Sequence, residues 1–312
     1  MSDQFETPIL FLIFNRPETT QQVFNQIRKV KPKYLYVAAD GPRLKNNQDI
    51  ERCEQTRNII NQIDWDCEVK TLFRDENLGC RKAVSFAITW FFNKVEQGII
   101  LEDDCLPDLS FFKFCEELLI KYKNDTRVFQ ISGNNFTKIE DENEESYYFS
   151  RYPLIWGWAT WKRAWEKYDL MMKDFNVFDK KNTIRSILST KVEQKRLLKS
   201  FKRMFIEPYD TWDNQWLYTV MKNNGVAIVP KKNIVINIGI ENNSTHTFLY
   251  DSIRSQSNIQ QISFPLRHPP FMIDTNRDNI TFNNIWSKGF KRVLRLIREN
   301  GFIKVVKYII TR

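Results

Sequence analysis

The 312-residue chain is 42% hydrophobic and 14% aromatic, which excludes a disordered or fibrous protein and allows a core that needs no covalent staples. Its net charge of +9 does not mark a nucleic-acid binder: eight Lys or Arg against one Glu lie between Trp286 and Arg312, so the other 285 residues carry only +2. Five cysteines (Cys53, Cys67, Cys80, Cys105, Cys115) form no CxxC pair, so reduced thiols in a cytoplasmic protein are expected, with neither disulfides nor a Cys-rich zinc site. Met1 to Thr7 has no Lys or Arg and does not read as a signal peptide, and no stretch approaches the ~20 uncharged residues that span a bilayer.

In chain order, "PILFLIFNRP" reads as a strand ending at a polar loop, and Thr19 to Val30 as a helix with Val23, Ile27 and Val30 on one face. "YLYVAADGPR" is a second strand running into the turn Asp40-Gly41-Pro42. Residues 46–62 are predicted helical, "EVKTLFR" is a third strand, Leu78 to Asn93 another helix, and "GIILEDD" a fourth strand. This alternation predicts an α/β architecture. In an open parallel sheet ligands collect at the carboxyl ends of the strands, and Asn15-Arg16, Asp40-Gly41 and Glu102-Asp103-Asp104 all sit at such ends.

The second half is less regular. Leu109 to Tyr122 reads as an amphipathic helix, "VFQISG" as a strand, and residues 138–146, "KIEDENEES", as an acidic loop. "YPLIWGWATWKRAWEKY" carries tryptophans at 156, 158, 161 and 165, which suit either a core or a wall against a flat ligand. A basic helical region near 191–204 follows. "TWDNQW" then leads into a helix with Trp216, Leu217, Val220 and Met221 on one face, stopped by Asn223-Asn224-Gly225. "VAIVP" and "NIVINIG" are late strands, and there is no internal repeat.

Three adjacent carboxylates at the end of a buried strand repel one another, and burying them unpaired is costly. A hard divalent cation would answer that charge: Mg²⁺ or Mn²⁺ is held by one or two protein carboxylates, with ligand phosphates and water completing the shell. The alternative is that Asp103 or Asp104 caps a turn or pairs with a surface lysine.

The pattern resembles the GT-A class of nucleotide-sugar glycosyltransferases, and within it the N-acetylglucosaminyltransferase I type, whose acidic turn reads Glu-Asp-Asp. The resemblance covers residues 8–250 as a succession of short motifs and points to a bacterial relative that builds surface polysaccharide. It implies a mixed sheet flanked by helices, with a nucleotide-binding half at 1–104 and an acceptor half at 105–283; the residues themselves add a basic helical tail at 284–312. It further implies that Asp104 ligates Mn²⁺ or Mg²⁺, that Asp103 contacts the nucleotide and that Glu102 faces the sugar. By the same resemblance Arg16 lies beside the uridine and diphosphate, and Asp40 contacts the uracil. Arg81 stands where the family has a histidine near the base. Trp156, Gly157 and Trp158 would line the sugar and acceptor site, "TWDNQW" would supply Asp213 as catalytic base beside Trp212, and His246 would reach the metal or diphosphate. His268 reads as structural loop.

Sugar transfer requires that a departing diphosphate be stabilised, that an acceptor hydroxyl lose its proton and that water be excluded. Asp104 with its metal, Arg16 and Asp213 would divide those tasks, with inversion at the sugar; the plain alternative for Asp213 is an N-cap of a helix starting at Asn214. The expected reaction moves a sugar, with N-acetylglucosamine as the candidate, from a UDP-sugar to a saccharide or lipid-linked acceptor. Rival readings are a sugar-nucleotide nucleotidyltransferase, against which no Gly-rich loop with lysine follows the first strand, and a non-catalytic nucleotide-sugar-binding protein. In the tail, Phe290, Val293, Leu294 and Ile297 share one helical face and Lys291, Arg292, Arg295 and Arg298 another, with a second apolar set at Phe302, Val305, Val306 and Ile309. Such helices lie on anionic membranes or pack on their own domain, and the first case makes the protein peripheral on the inner face of a membrane.

Overall fold

A computed structural model of the chain describes residues 4–44, 46–137, 139, 145–239 and 258–286. The first strand, β1 (Ile9–Ile13), is buried along its whole length, as a central strand covered on both faces must be. Its side chains alternate: Ile9, Phe11 and Ile13 enter one apolar cluster, Leu10 and Leu12 another. Helix α1 (Pro17–Val30) closes the first cluster with Val23, Phe24 and Ile27; proline opens it at a position that needs no amide hydrogen, and Lys31 ends it in the left-handed conformation. Strand β2 (Tyr34–Ala39), helix α2 (Asn47–Asn58), strand β3 (Glu68–Phe73), helix α3 (Gly79–Phe92) and strand β4 (Gln97–Glu102) follow in the predicted order. Helix α3 lies on the opposite face to α1, where Ala87, Ile88, Phe91 and Phe92 pack on Leu10, Tyr36 and Ile100.

Strand β5 (Cys105–Pro107) leads into α4 (Leu109–Lys121), whose cap Asp108 accepts from the Ser110 amide at 2.8 Å. Strands β6 (Val128–Ser132), β7 (Tyr147–Ser150) and β8 (Trp158–Trp161) precede the helices α5 (Lys162–Trp165), α6 (Phe175–Lys180), α7 (Ile184–Ile187), α8 (Lys191–Ile206) and α9 (Asp213–Lys222). Strands β9 (Val226–Pro230) and β10 (Val235–Asn237) and helix α10 (Thr275–Trp286) complete the described elements. Eight strands form one mixed sheet in the order β3-β2-β1-β4-β8-β6-β9-β7. The half from β3 to β4 is parallel, and β8 joins it antiparallel to β4. The late strand at "NIVINIG" is β10; it pairs with β5, just beyond the acidic turn, in a separate two-stranded sheet. All five cysteines are free thiols. Among the described residues, no helix is long and apolar enough to cross a membrane.

Helix α10 was not foreseen. It runs through residue 284, where the tail was expected to begin, and it seals the β7 edge. Phe282 and Trp286 pack near Tyr152, and Arg277 is buried over the Tyr148 ring, 4.9 Å from its centroid. Its Asp278 is buried, accepting from Ser150 Oγ at 2.5 Å and from the Arg151 amide at 3.1 Å. The rest of the basic tail, from residue 287, lies outside the described residues.

Burial pushes the Asp278 carboxyl up to about 7, against the pull of its hydrogen bonds from Ser150 and Arg151. A carboxyl raised on folding favours the folded state while it holds its proton. Its contribution is therefore full below the ordinary carboxylate range and is lost as pH rises to about 7. Urea unfolding at closely spaced pH values should show wild type losing stability between about 4 and 7 by an amount that Asp278→Asn does not lose. Parallel pH profiles for the two proteins would contradict this.

Candidate active site

The parallel half of the sheet brings the loops after β1, β2, β3 and β4 together at their carboxyl ends. They enclose a cavity of about 300 Å³ lined by Phe14, Arg16, Asp40, Arg43, Arg74, Asn77, Gly79, Cys80, Glu102, Asp103 and Asp210, among others. Because β1 and β4 are neighbours, Arg16 at the start of α1 meets the acidic turn: its Nη1 stands 2.7 Å from Asp104 Oδ2 and 3.7 Å from Asp103 Oδ1. Asp103 is 7% exposed and takes the Phe14 amide at 3.1 Å. Burial, then the charge of Asp104, pushes its carboxyl up to about 7, while Arg16 and the Phe14 amide pull it down. Loss of water contact, then Asp104, Asp103 and Asp213, raises Glu102 well above the usual range. Behind Asp104 passes the chain that leaves β10. The Ile238 amide donates to the Asp104 carbonyl at 2.8 Å, and a Cβ at Gly239 would stand 2.6 Å from Asp104 Oδ2 and 3.1 Å from Arg16 Nη1. Only glycine lets the backbone come that near the ion pair.

Carboxylate oxygens are the hard donors that Mg²⁺ and Mn²⁺ take, and either ion needs only one or two from protein. Glu102 and Asp103 are pushed toward their protonated forms even with Arg16 beside the turn. Three carboxyls thus face one guanidinium, and a divalent ion bound there would favour their ionised, oxygen-donor forms. Among the described residues, no three His, Cys, Asp or Glu side chains are placed to hold a metal unaided. His246 lies outside the described residues.

The other expected residues divide into those the cavity gathers and those it does not. Asp40 lines it, but its carboxylate accepts the Leu78 and Gly79 amides and Asn77 Nδ2, all at 3.0–3.1 Å. Asp210, on the loop before α9, accepts the next two amides of α3, Cys80 at 3.0 Å and Arg81 at 2.7 Å. Two carboxylates from distant parts of the chain thus satisfy four successive amides at a helix start, where negative charge is favourable. Arg81 does not line the cavity. Its Nη2 donates to the Leu170 carbonyl at 2.9 Å and approaches Met171 Sδ at 3.7 Å, so the cavity does not gather it with the other expected residues.

Asp213 opens α9 itself, so it is not a cap ahead of Asn214. Its Oδ1 accepts from the Thr211 hydroxyl and the Asn214 amide, whereas Oδ2 makes no hydrogen bond among the described residues. Its charge reaches Glu102.

The tryptophans form a core, and the ligand-wall reading is corrected. Trp158 is 0% and Trp212 2% exposed, stacked on each other at 5.5 Å, with Trp165 and Trp216 packed around them. Trp156 is buried edge-on against Phe136. Gly157 has φ +56° beneath Val235 and Leu101, and its carbonyl accepts the Gly133 amide at 2.7 Å. It shapes the chain from inside and presents no face to a sugar. Apolar rings enclosed on all sides gain more from exclusion of water than a partly exposed stacking wall could.

Three charged cavity residues went unassigned in the sequence: Arg43, Arg74 and Asp210. Arg43 is held by the buried Asp49, Nε to Oδ2 at 2.5 Å and Nη2 to Oδ1 at 2.9 Å, and those bonds hold Asp49 down to about 2. Arg43 and Arg74 each follow a strand, as Arg16 does, and that shared position was the available signal. Asp210 carried none, because only the fold brings its loop to α3.

The fold is thus the expected mixed α/β, Rossmann-like type: a large sheet flanked by helices, with its cavity at the carboxyl ends of the parallel strands. No protein-family model and no curated protein matches the chain. Among solved structures, S. aureus TarS 1–349 is similar at 13% identity and TM-score 0.40, over 95% of this chain and 74% of its own. The inositol-1-phosphate CTP transferase of T. maritima is similar at 7% identity and TM-score 0.38, over 73% and 86%. The 4-diphosphocytidyl-2C-methyl-D-erythritol synthase of Anaerococcus prevotii gives 8% and 0.37, over 75% and 94%. Likenesses this distant carry no argument about activity.

If the tryptophans are core, Trp158→Ala should cost about 3–5 kcal/mol of unfolding free energy in urea titration. A loss under about 1 kcal/mol, typical of exposed positions, would restore the ligand-wall reading.

Proposed function

We propose that this protein is an inverting glycosyltransferase that moves a sugar from a UDP-sugar to a saccharide or lipid-linked acceptor. The sequence resemblance suggests N-acetylglucosamine as the sugar and surface polysaccharide as the product. The observation that carries the reading is the cavity itself, where arginines and an acidic turn meet at the carboxyl ends of β1 to β4. A nucleoside diphosphate is a ligand that needs both: guanidinium groups for its phosphates and a carboxylate turn for the cation that accompanies them.

Arg16, half-exposed beside Asp104, can turn its free N–H groups to a phosphate oxygen and stabilise the diphosphate as it leaves. A divalent ion on Asp104, with His246 as a further candidate ligand, would add positive charge against the same leaving group. On the acceptor side, the open Oδ2 of Asp213 takes the proton of the attacking hydroxyl. The acceptor oxygen then bonds to the anomeric carbon as the carbon–oxygen bond to the diphosphate breaks on the opposite face, which inverts the sugar. Nucleotidyl transfer would use the same cavity. A sugar phosphate, however, arrives as an anion and needs no base, so the open carboxylate oxygen of Asp213 favours transfer to a hydroxyl. Attachment of residues 286–312 to an anionic membrane from its cytoplasmic side would suit a lipid-linked acceptor.

With a panel of UDP-sugars and saccharide acceptors, UDP release by Asp213→Asn should fall about 10²–10⁴-fold in kcat, the range for loss of a general base. UDP affinity should be unchanged. Turnover equal to wild type would remove Asp213 as base and with it the support for glycosyl over nucleotidyl transfer.

A further inference from the structure

The cavity has two chemically different ends, and one of its arginines is uncommitted. Arg16 is bound to the acidic turn and Arg43 to Asp49. Arg74 also lines the cavity, and among the described residues its guanidinium makes no hydrogen bond and no ion pair. The charge acting on it is that of Asp40. Backbone bonds fix where it stands. The Arg74 amide donates to the Ala39 carbonyl at 3.1 Å, one step past the last β2–β3 partners Ala39 and Phe73. Arg57 then donates to the carbonyls of both Asp40 and Arg74, and its guanidinium covers the Phe73 ring at 5.1 Å. The ends of β2 and β3 are thereby held together, with Asp40 and Arg74 adjacent at the cavity.

In the order β3-β2-β1-β4, three strand spacings separate Arg74 from the acidic turn, about 14 Å at roughly 4.8 Å each. That backbone separation is comparable to the reach from a diphosphate across its ribose to the base. Resting on the reading of this cavity as a nucleoside-diphosphate site, we propose that Arg74 recognises the nucleobase, its guanidinium donating to a base carbonyl. It would take the place that the sequence had suggested for Arg81, whose Nη2 donates to the Leu170 carbonyl and which does not line the cavity. A guanidinium only donates, so the base must offer an acceptor there, as uracil does with its carbonyl oxygens.

The test is calorimetry on the full chain. Wild type, Arg74→Ala and Arg74→Lys would be titrated with the diphosphate that wild type binds among UDP, GDP, CDP and dTDP. Inorganic pyrophosphate, added as a competitor, would probe the phosphate end alone. A charge-assisted hydrogen bond to the base predicts about 10- to 100-fold weaker nucleotide binding by Arg74→Ala. Arg74→Lys, with a point charge in place of a planar fork, should lose part of that affinity. Pyrophosphate affinity should be unchanged in both. Equal weakening toward nucleotide and pyrophosphate would make Arg74 a phosphate ligand and overturn the proposal, as would nucleotide binding at wild-type strength in both variants. If wild type binds none of the four nucleotides, the donor-site reading fails first, and this inference goes with it.

Discussion

A single guanidinium beside three consecutive acidic residues is the constraint on which the site depends. Arg16 stands 2.7 Å from Asp104 and 3.7 Å from Asp103 because β1 and β4 are adjacent and parallel, so that their carboxyl ends open side by side. That adjacency in turn requires an apolar set on both faces of β1, which Ile9 to Ile13 supply. Three carboxyls face one guanidinium there, and burial together with the neighbouring carboxylates pushes Asp103 up to about 7 and raises Glu102 well above the usual carboxylate range. A partly desolvated excess of negative charge is costly to the fold. In the proposed function, a cation bound with an anionic ligand would relieve that cost.

The start of α3 joins the halves of the molecule. Asp40, from the loop after β2, takes the first two of its amides, and Asp210, from the loop before α9, takes the next two. Arg74 stands beside Asp40, while Asp213 lies three residues beyond Asp210 on the chain that crosses from the second half. The groups proposed for donor and for acceptor are therefore anchored to one helix end. The buried tryptophans give α9 a rigid seat: Trp212 and Trp216 bracket its first turn and pack on Trp158 of the main sheet. They fix the end of α9 from which Asp213 projects.

Much of this was legible in the sequence. Apolar runs bounded by polar turns marked β1 to β4 and the helices between them, because strands buried on both faces read as continuous hydrophobic stretches. Arg16, Asp40, Glu102 and Asp103 could be picked out as strand-end residues, and they do line one cavity. Three things could not be read. A tryptophan cluster has the same composition as core or as ligand wall, and only burial separates them. Arg81 lies on the helix whose start borders the cavity, yet the Leu170 carbonyl captures its side chain, a partner 89 residues away. Helix α10 has a weak pattern, because its buried set includes Arg277, Asp278 and Thr281 as well as Phe282. Long-range polar partners, Thr137 for Arg277 and Ser150 for Asp278, make those two positions tolerable, and no periodicity reveals them.

The central claim is that the acidic turn holds a cation against a nucleoside diphosphate. Its most direct test is titration of UDP into wild type and into Asp104→Ala, each with and without Mn²⁺. The account predicts UDP binding that Mn²⁺ strengthens in wild type and an Asp104→Ala protein in which Mn²⁺ no longer has that effect. UDP binding of equal strength with and without Mn²⁺, or an Mn²⁺ effect that persists in Asp104→Ala, would contradict it.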